Sequence, residues 1–414
     1  MAFKDYRDPL YGFIGVNECE QKIIDSAAFQ RLRYIRQLGT TFLVYPSANH
    51  TRFEHSLGTL EIATRLFNAL TNQKHNLSIL GWDQEKTEYY RRLLRYASLL
   101  HDIGHPPFSH ASETLFPDNK DHESYTFALI VHPEHGYPVI DQDLGAGAQI
   151  KVAEIATGNA KGKDEAFLSE LLTGDFGADR LDYLIRDSYH LGVSYGRFDA
   201  QRLLNTFLIR FNEEKMGPEL AIEDGGVHSI EGFLLARYFM FLEVYFHKTR
   251  RILDIHFSEL IQSILRGGKY PDNIDEFIQW DDNKVLYCFE HYKGKTIFSR
   301  LFNRDHYRLA FETTDHPERK EIERFDWLCT ALKDEYGKNN ICIDEASKAP
   351  YSYEKPLIFV LWRNALHPLE KRSPLIKNLR KIQKMRIYGV REKREEIKDF
   401  CEKFWQERER RRHA

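Results

Sequence analysis

The stretch that most constrains this chain is residues 99–110, where an apolar helical run ends in an adjacent His-Asp pair. The helix must end near Gly104, because glycine and the two prolines that follow it break helices. His101 and Asp102 at that helix end can both turn toward one divalent ion, and imidazole and carboxylate are usual ligands of a hydrolytic metal. Such a pair is common by chance, but the three histidines of this stretch favour a metal site. One ion would need further ligands from elsewhere in the chain.

Composition excludes several classes of protein. The chain has 414 residues and a net charge of -3, so it can bury a large core and has no global basic field. Nucleic acid is therefore not indicated as a partner, although a local basic site stays open. The five cysteines are scattered, odd in number and without Cys-x-x-Cys spacing, which is typical of a reducing compartment. Without a secretory apolar segment or a run of about 18 apolar residues, we expect a cytoplasmic protein that does not cross a membrane.

A candidate third metal ligand, His55, lies at the start of a predicted helix that reaches about Leu70. An apolar stripe at helical spacing defines that helix, and Arg52 lies one turn before the histidine. A histidine near a helix start is also compatible with a core or surface position. Beside Arg52 and ahead of the His-Asp pair, His55 becomes a plausible ligand.

A second polar face follows at residues 179–187. Asp179, Tyr183 and Asp187 fall on one face of a predicted helix together with Arg186, and Asp182 lies at the edge of that face. A solvated surface is the simpler interpretation, but a tyrosine between two carboxylates and flanked by leucines is unusual for one. Asp179 is the candidate fourth ligand.

Two further groups of residues could take part in catalysis or binding. His122 and Glu123 stand together at the entry to a helix, as an acid-base pair could, although a solvated loop has the same composition. The residues Arg237, Phe241, Tyr245 and Lys248 recur at helical spacing on a long helix predicted over 231–265. Cations at both ends and aromatic rings between them suit phosphates and a base or sugar. A core stripe with snorkelling ends explains the same spacing equally well.

Helical periodicity dominates the chain, including a continuous helix predicted from about residue 19 to 38. The predicted fold class is therefore mostly α. We expect a helical core over residues 1–265 and a smaller mixed α/β C-terminal region over 266–414, which packs on the core or builds an oligomer.

The order His…His-Asp…Asp resembles that of the HD-domain phosphohydrolases. Residues 29–39, 49–58 and 101–110 are similar to the deoxynucleoside triphosphate triphosphohydrolases of that superfamily. The segment 179–187 and the spacing from Arg237 to Lys248 match the same branch, so the resemblance covers roughly residues 5–260. It implies an HD-domain helical core and metal-dependent hydrolysis of a deoxynucleoside triphosphate (dNTP) to deoxynucleoside and inorganic triphosphate.

The resemblance also implies residue roles. One manganese, iron, magnesium or zinc ion would be bound by His55, His101, Asp102 and Asp179. The implied catalytic residues are His122, as the acid-base group, with Glu123, His105, His110 and Glu113. Glu113 stands where relatives often have Asp. The implied substrate-binding residues are Arg52, Arg180, Arg237 and Lys248 for the triphosphate, Gln37 and Asp187 for the 3′-hydroxyl, and Tyr183, Leu38 and Tyr245 around the sugar.

The same family implies a homo-oligomer, a dimer or a tetramer, and leaves room for a nucleotide activator. Two alternatives stay open at this point. One is an HD-type nucleotidase or phosphodiesterase acting on another phosphate ester, since the same metal site serves all of these reactions. The other is a non-catalytic nucleotide sensor.

Overall fold

A computed structural model describes residues 3–291, 295–349, 351 and 358–410 of the chain. Within these residues the protein is mostly α-helical with three small sheets, which confirms the predicted fold class. The division at residue 265 stays a prediction.

The helices of the described residues are α1 (Glu18–Ile24), α2 (Ala27–Gln30), α3 (Arg52–Thr71), α4 (Lys74–Leu80), α5 (Gln84–Leu100), α6 (His122–Ile130), α7 (Pro138–Leu144), α8 (Ala148–Ala156), α9 (Lys163–Thr173), α10 (Ala178–Leu191), α11 (Ala200–Thr206), α12 (Val227–Phe239), α13 (Lys248–Ile264), α14 (Ile274–Phe277), α15 (Asp282–His291), α16 (Lys295–Phe302), α17 (Arg319–Tyr336), α18 (Leu369–Arg372), α19 (Pro374–Lys377) and α20 (Arg394–Arg410). The strands are β1 (Lys4–Asp8), β2 (Gly12–Val16), β3 (Phe207–Asn212), β4 (Gly217–Glu223), β5 (Arg308–Glu312), β6 (Ile341–Lys348), β7 (Phe359–Trp362), β8 (Ala365–Pro368) and β9 (Ile382–Gly389).

The sheets connect the C-terminal region to the helical core. Strands β1 and β2 form an N-terminal hairpin, and β5, β9 and β6 form an antiparallel sheet in that order. In the third sheet, of order β3-β4-β7-β8, β4 pairs in parallel with β7. The C-terminal chain thereby extends a hairpin that begins in the helical part.

One large apolar cluster fills the helical core and continues into the C-terminal region. Helix α3 is central in it, packed against both α5 and α10. A second cluster lies between α17, α20 and the sheet of β5, β9 and β6. Its fully buried members are Phe325, Leu328, Leu332, Ile387, Ile397 and Cys401. The C-terminal sheet therefore has a small core of its own.

The continuous helix predicted over residues 19–38 is wrong. Helix α1 ends at Ile24, and a new helix, α2, begins after Ser26, whose hydroxyl accepts a hydrogen bond from the Phe29 backbone N–H at 3.3 Å. Serine favours helix starts because its side chain satisfies an otherwise unpaired N–H group. The apolar spacing continues across this break, so periodicity alone did not reveal it.

The long helix predicted over 231–265 is also interrupted. Helix α12 begins earlier, at Val227, and continues into a π-helical turn over Met240–Tyr245. The chain leaves helical geometry at His247, and α13 begins at Lys248. Irregular turns of this kind often occur at functional sites. Because of the break, Lys248 does not continue the face that carries Arg237.

Gly58 allows α3 and α10 to approach closely. A Cβ atom at this position would overlap with Asp182 Oδ1 and Arg186 Nη2 of α10. Any larger residue would therefore displace the two side chains that face α3 from the neighbouring helix. By contrast, nothing lies within 4 Å of the position that a Cβ would take at Gly232 in α12.

We expect Gly58→Ala to lower the free energy of unfolding by about 1–3 kcal/mol, because the added methyl group overpacks the contact between α3 and α10. The matched control, Gly232→Ala, should leave stability unchanged or raise it by up to about 1 kcal/mol through helix propensity. Chemical denaturation of the two variants beside wild type makes the measurement. Equal stabilities of the two variants would contradict the close approach.

Candidate active site and metal centre

Three helix ends bring the four predicted metal ligands together. His55 lies in the first turn of α3, His101 and Asp102 directly follow α5, and Asp179 lies in the first turn of α10. His55 Nε2 lies 3.2 Å from His101 Nε2, 3.0 Å from Asp179 Oδ1 and 3.6 Å from Asp102 Oδ2. The distance from His101 Nε2 to Asp179 Oδ1 is 3.6 Å. His55, His101 and Asp102 therefore form a group that could hold one metal ion, and Asp179 lies against both histidines.

The hydrogen bonds of the two histidines fit a cation at that point. His55 Nδ1 lies 2.8 Å from Asp182 Oδ2, and His101 Nδ1 lies 2.9 Å from the Ser98 carbonyl oxygen. With a metal ion bound, each ring would carry its proton on Nδ1, where these acceptors lie, and would present the lone pair of Nε2 to the ion. Two lone pairs facing each other at 3.2 Å repel unless a positive charge lies between them. The donor set and its outer hydrogen bonds are those of a divalent metal site.

Asp182 contacts a predicted metal ligand, although the sequence interpretation left it at the edge of a face. Its carboxylate is fully buried and accepts hydrogen bonds from His55, from Arg186 Nε at 2.9 Å and from the Tyr11 hydroxyl at 2.7 Å. A carboxylate behind a ligating histidine fixes the ring and its tautomer. The spacing of four between Asp182 and Arg186 was the available signal for a buried ion pair on this helix.

Arg52 lies against the metal ligands in this structure. Its guanidinium contacts Asp102 Oδ2 and donates to Ser109 Oγ at 2.9 Å, and the side chain is buried. Burial alone would raise the pKa of Asp102, but Arg52 together with the neighbouring His101 and His105 lowers it well below its usual range. Arg52 therefore keeps a buried ligand carboxylate ionised. Its predicted contact with a triphosphate stays a prediction.

A cluster of three histidines and one glutamate lies beside the metal ligands. His105 Nε2 lies 3.2 Å from Asp102 Oδ1, and the rings of His105 and His122 stack with their centroids 4.1 Å apart. Glu113 contacts His122 Nδ1 and accepts a hydrogen bond from His110 Nδ1 at 2.8 Å. Glu113 thus reaches His122 although it stands where relatives often have Asp.

Charge sets the protonation of this cluster. Burial lowers the pKa of His122, but the hydrogen bond and the negative charge of Glu113 outweigh it and raise the pKa above its ordinary value. Burial, Arg52 and His122 lower the pKa of His105 well below its ordinary value. The predicted partner of His122, Glu123, is exposed and has no hydrogen-bond partner among the described residues. The protonated form is therefore favoured at His122 and disfavoured at His105, and Glu113 is the carboxylate that supports His122.

The loop that carries these histidines is strained and is held from outside the helical core. Phe108 and Ser109 have φ angles of 57° and 53°, a region that side chains with a Cβ disfavour. Asp282, at the start of α15, accepts hydrogen bonds from the backbone N–H groups of Phe108 at 2.7 Å and Arg36 at 3.1 Å. Asp282 was missed because nothing in its local sequence signals a partner 174 residues away.

The predicted phosphate-binding arginines, Arg180 and Arg237, share the carboxylate of Asp175. Arg180 Nη1 donates to Asp175 Oδ1 at 2.6 Å, and Arg237 Nη1 lies 3.5 Å from the same oxygen. Arg237 is almost fully buried, and its Nε has no hydrogen-bond partner among the described residues. Two guanidinium groups therefore meet one carboxylate next to the metal ligands.

The predicted sugar-binding residues also come together. The Tyr245 hydroxyl donates to Asp187 Oδ2 at 2.7 Å, and the ring of Tyr183 lies 6.3 Å from that of Tyr245. His50 Nε2 lies 2.8 Å from the other oxygen of Asp187, and the His50 carbonyl accepts from the Gln37 backbone N–H at 3.0 Å. The Gln37 side-chain oxygen is buried and has no hydrogen-bond partner among the described residues. Leu38, also buried, follows Gln37 in the chain.

The structure does not bring Lys248 to this group. It is exposed at the start of α13 and lines a cavity of about 430 Å³ against the C-terminal sheet. The basic residues around that cavity are Lys248, His306, Arg308, Arg391 and Arg394.

A second group of potential ligands, His132, His135 and Asp275, lies on the surface. His132 Nδ1 accepts hydrogen bonds from the backbone N–H groups of Glu134 and His135, each at 3.2 Å. The neutral His132 ring therefore carries its proton on Nε2, which faces Asp275 at 3.7 Å. A protonated nitrogen is not a metal ligand, so this group is better explained as a surface ion pair, in which His135 Nε2 lies 2.9 Å from Asp275.

Comparisons with known proteins agree with this geometry. The HD domain family matches residues 52–187, and the family described as HD associated region matches residues 198–412. An uncharacterized protein of Bacillus subtilis is 30% identical over 379 residues, which cover 85% of this chain and 82% of that protein. The deoxynucleoside triphosphate triphosphohydrolase SAMHD1 of Bos taurus is 27% identical over 373 residues, covering 79% and 62%.

Two solved structures share the fold. The crystal structure of a hypothetical protein from Aquifex aeolicus has a TM-score of 0.83 and 36% identity, and the alignment covers 96% of this chain and 99% of that one. A phosphohydrolase from Bacteroides thetaiotaomicron has a TM-score of 0.71 and 25% identity, with coverage of 94% and 100%.

Fold and site together define a metal-dependent phosphohydrolase. The chain belongs to the HD-domain family, in the branch that contains the proteins named deoxynucleoside triphosphate triphosphohydrolase. None of its described helices is both long enough and apolar enough to span a bilayer.

We expect His101→Ala to abolish tight binding of a divalent metal, because it removes one of two facing imidazole nitrogens. The control His132→Ala removes a histidine of the surface group and should leave the metal content unchanged. Elemental analysis of the purified and dialysed proteins makes the comparison. Loss of metal from His132→Ala, with retention in His101→Ala, would assign the ion to the surface group instead.

We expect Glu113→Gln to lower the pKa of His122, because the glutamate charge and hydrogen bond favour the protonated ring. NMR titration of the histidine ring signals measures this shift. The control Glu123→Gln neutralises the adjacent carboxylate, which is exposed, and should produce a smaller shift. An equal shift in the two variants would contradict the role of Glu113.

Proposed function

We propose that this protein hydrolyses deoxynucleoside triphosphates to deoxynucleoside and inorganic triphosphate. The observation that carries the proposal is the set of groups around Tyr183. The charges of Arg237, Arg180, Asp179 and Asp187 all act on this tyrosine, and its ring lies 6.3 Å from that of Tyr245, so the predicted phosphate, metal and sugar contacts belong to one site. The SAMHD1 proteins, named for this activity, are relatives at 27–29% identity in Bos taurus and Gallus gallus.

In this proposal the bound metal ion supplies Lewis-acid stabilisation of the α-phosphate and a more acidic water. His55, His101, Asp102 and Asp179 hold the ion. Arg180 and Arg237 bind the phosphates that leave as triphosphate and offset the charge that develops on them.

His122 is the proposed proton donor. A water oxygen attacks the α-phosphorus and releases one proton to solvent, and the bond from phosphorus to the 5′-oxygen breaks. The 5′-oxygen leaves with the nucleoside and needs a proton, which His122 holds because Glu113 raises its pKa. The ring of His122 stacks on that of His105, and the pKa is raised at His122 and lowered at His105, so His122 is the better proton donor of the pair.

The proposed sugar contacts explain a preference for deoxynucleotides. The buried, unpartnered oxygen of Gln37 and the carboxylate of Asp187 would accept from a 3′-hydroxyl. Tyr183 and Tyr245 would lie against the sugar ring, and Leu38 would crowd a 2′-hydroxyl. Satisfying a buried acceptor such as that of Gln37 contributes to binding, since leaving it unpaired costs about 1–3 kcal/mol.

We further propose that the protein is a homo-oligomer, a dimer or a tetramer, and that a nucleotide can activate it. The basic cavity around Lys248, Arg308, Arg391 and Arg394 supports the second part, because clustered cations suit the phosphates of a nucleotide. It lies outside the group of metal ligands. A cytoplasmic location stays a prediction from the sequence.

The test is product analysis with purified protein, Mn²⁺ or Fe²⁺ and each dNTP in turn. We expect deoxynucleoside and intact triphosphate, and loss of both in the double variant His101→Ala/Asp102→Ala. Turnover only in mixtures of dNTPs would indicate that one nucleotide activates the hydrolysis of another. Release of orthophosphate or pyrophosphate would instead favour an HD-type nucleotidase or phosphodiesterase, and tight binding without turnover under any metal would favour a nucleotide sensor.

A further inference from the structure

Lys348 brings a charge from the C-terminal region toward the two arginines of the site. It is the last residue of β6, where it pairs with Ile382 of β9. Its ammonium nitrogen lies 5.5 Å from the centroid of the Phe241 ring. The guanidinium carbon of Arg237 lies 5.8 Å from the same centroid, so two cations approach one ring in the π-helical turn. Nothing in the residues around Lys348 predicts a connection with this site.

The charges around Lys348 form a cationic group. Burial lowers its pKa, and the positive charges of Arg237 and Arg180 lower it further, against the opposing effects of Asp175 and Asp179. Of these four side chains, the predicted metal ligand Asp179 has the smallest effect on the pKa of Lys348. Like charges held close together repel each other, whereas a multiply charged anion placed among them is attracted to all of them. Lys348 therefore belongs to the same group of charges as Arg237 and Arg180.

We propose that Lys348 is a third phosphate-binding cation of the active site, which acts with Arg180 and Arg237 on the phosphates remote from the metal. This inference rests on the proposed function for its substrate class, a nucleoside triphosphate. It adds that the C-terminal region supplies part of the substrate site. A lysine is suited to this position because its ammonium group is a compact point charge on a flexible stem that can follow the terminal phosphates.

A simpler interpretation is that Lys348 only covers an aromatic ring, as lysines often do on protein surfaces. The two interpretations predict different effects on triphosphate binding when the charge of Lys348 is removed. Loss of a cation that contacts phosphate weakens binding of triphosphate, whereas loss of a cation that contacts only Phe241 does not. Binding of inorganic triphosphate therefore separates them without any catalytic step.

The experiment is calorimetric titration of the metal-loaded protein with inorganic triphosphate. We expect Lys348→Gln to weaken binding about tenfold and Lys348→Arg to restore most of the loss, because arginine keeps the charge. The matched control is Lys338→Gln, which removes an exposed lysine from the loop before the same strand. It should bind as wild type does. Wild-type affinity in Lys348→Gln would overturn the proposal.

Steady-state kinetics distinguish this proposal from the proposed function. With a dNTP as substrate, Lys348→Gln should raise KM about tenfold and leave kcat within about twofold. If dNTPs release triphosphate but KM is unchanged in this variant, the role of Lys348 is wrong and the proposed function stands. If no dNTP is hydrolysed but triphosphate binding still depends on Lys348, the proposed function is wrong and the phosphate site stands.

Discussion

The buried carboxylate of Asp182 is the interaction on which the site depends. It ties His55 of α3 to Arg186 of α10, and Arg186 in turn reaches Asp8 at the end of β1 at 2.9 Å. Burial raises the pKa of Asp182, but Arg186 and His55 outweigh it and lower the pKa to about 2. Removing one member of such a buried network leaves an uncompensated charge, which costs about 3–5 kcal/mol. Because Gly58 lets the two helices meet at this carboxylate, packing and metal binding are set by the same contact.

The loop that carries His105 and His110 depends on the C-terminal region as well as on the helical core. Asp282 holds the strained turn at Phe108 through a backbone hydrogen bond. Burial raises the pKa of Asp282 to about 6, although the hydrogen bonds and Arg36 act in the opposite direction. A buried carboxylate that is costly to ionise is kept here because it fixes the turn that carries His105 and His110. In the proposed role of Lys348, the C-terminal region would also contribute to substrate binding, since Lys348 lies outside the predicted helical core.

Much of this site could be predicted from the sequence. The residues that could not be predicted were missed for one common physical reason. Ligand types and helix periodicity are local, so the pair His101-Asp102, the face of Asp179 and the mostly α fold could be predicted. Asp182 and Asp282 act through partners far away in the chain, and sequence spacing does not encode such distances. The break at His247 was missed because no glycine or proline marks it.

The charges of the site fall into two groups. In one group Arg52 offsets the charge of Asp102, and the predicted metal ion would add positive charge among the remaining carboxylates. In the other group Arg180, Arg237 and Lys348 carry more positive charge than Asp175 balances. A small ester with one phosphate would leave this second group without a counter-charge. Under the proposed function a chain of phosphates would supply that counter-charge, which is the physical reason to propose a nucleoside triphosphate rather than a monophosphate ester.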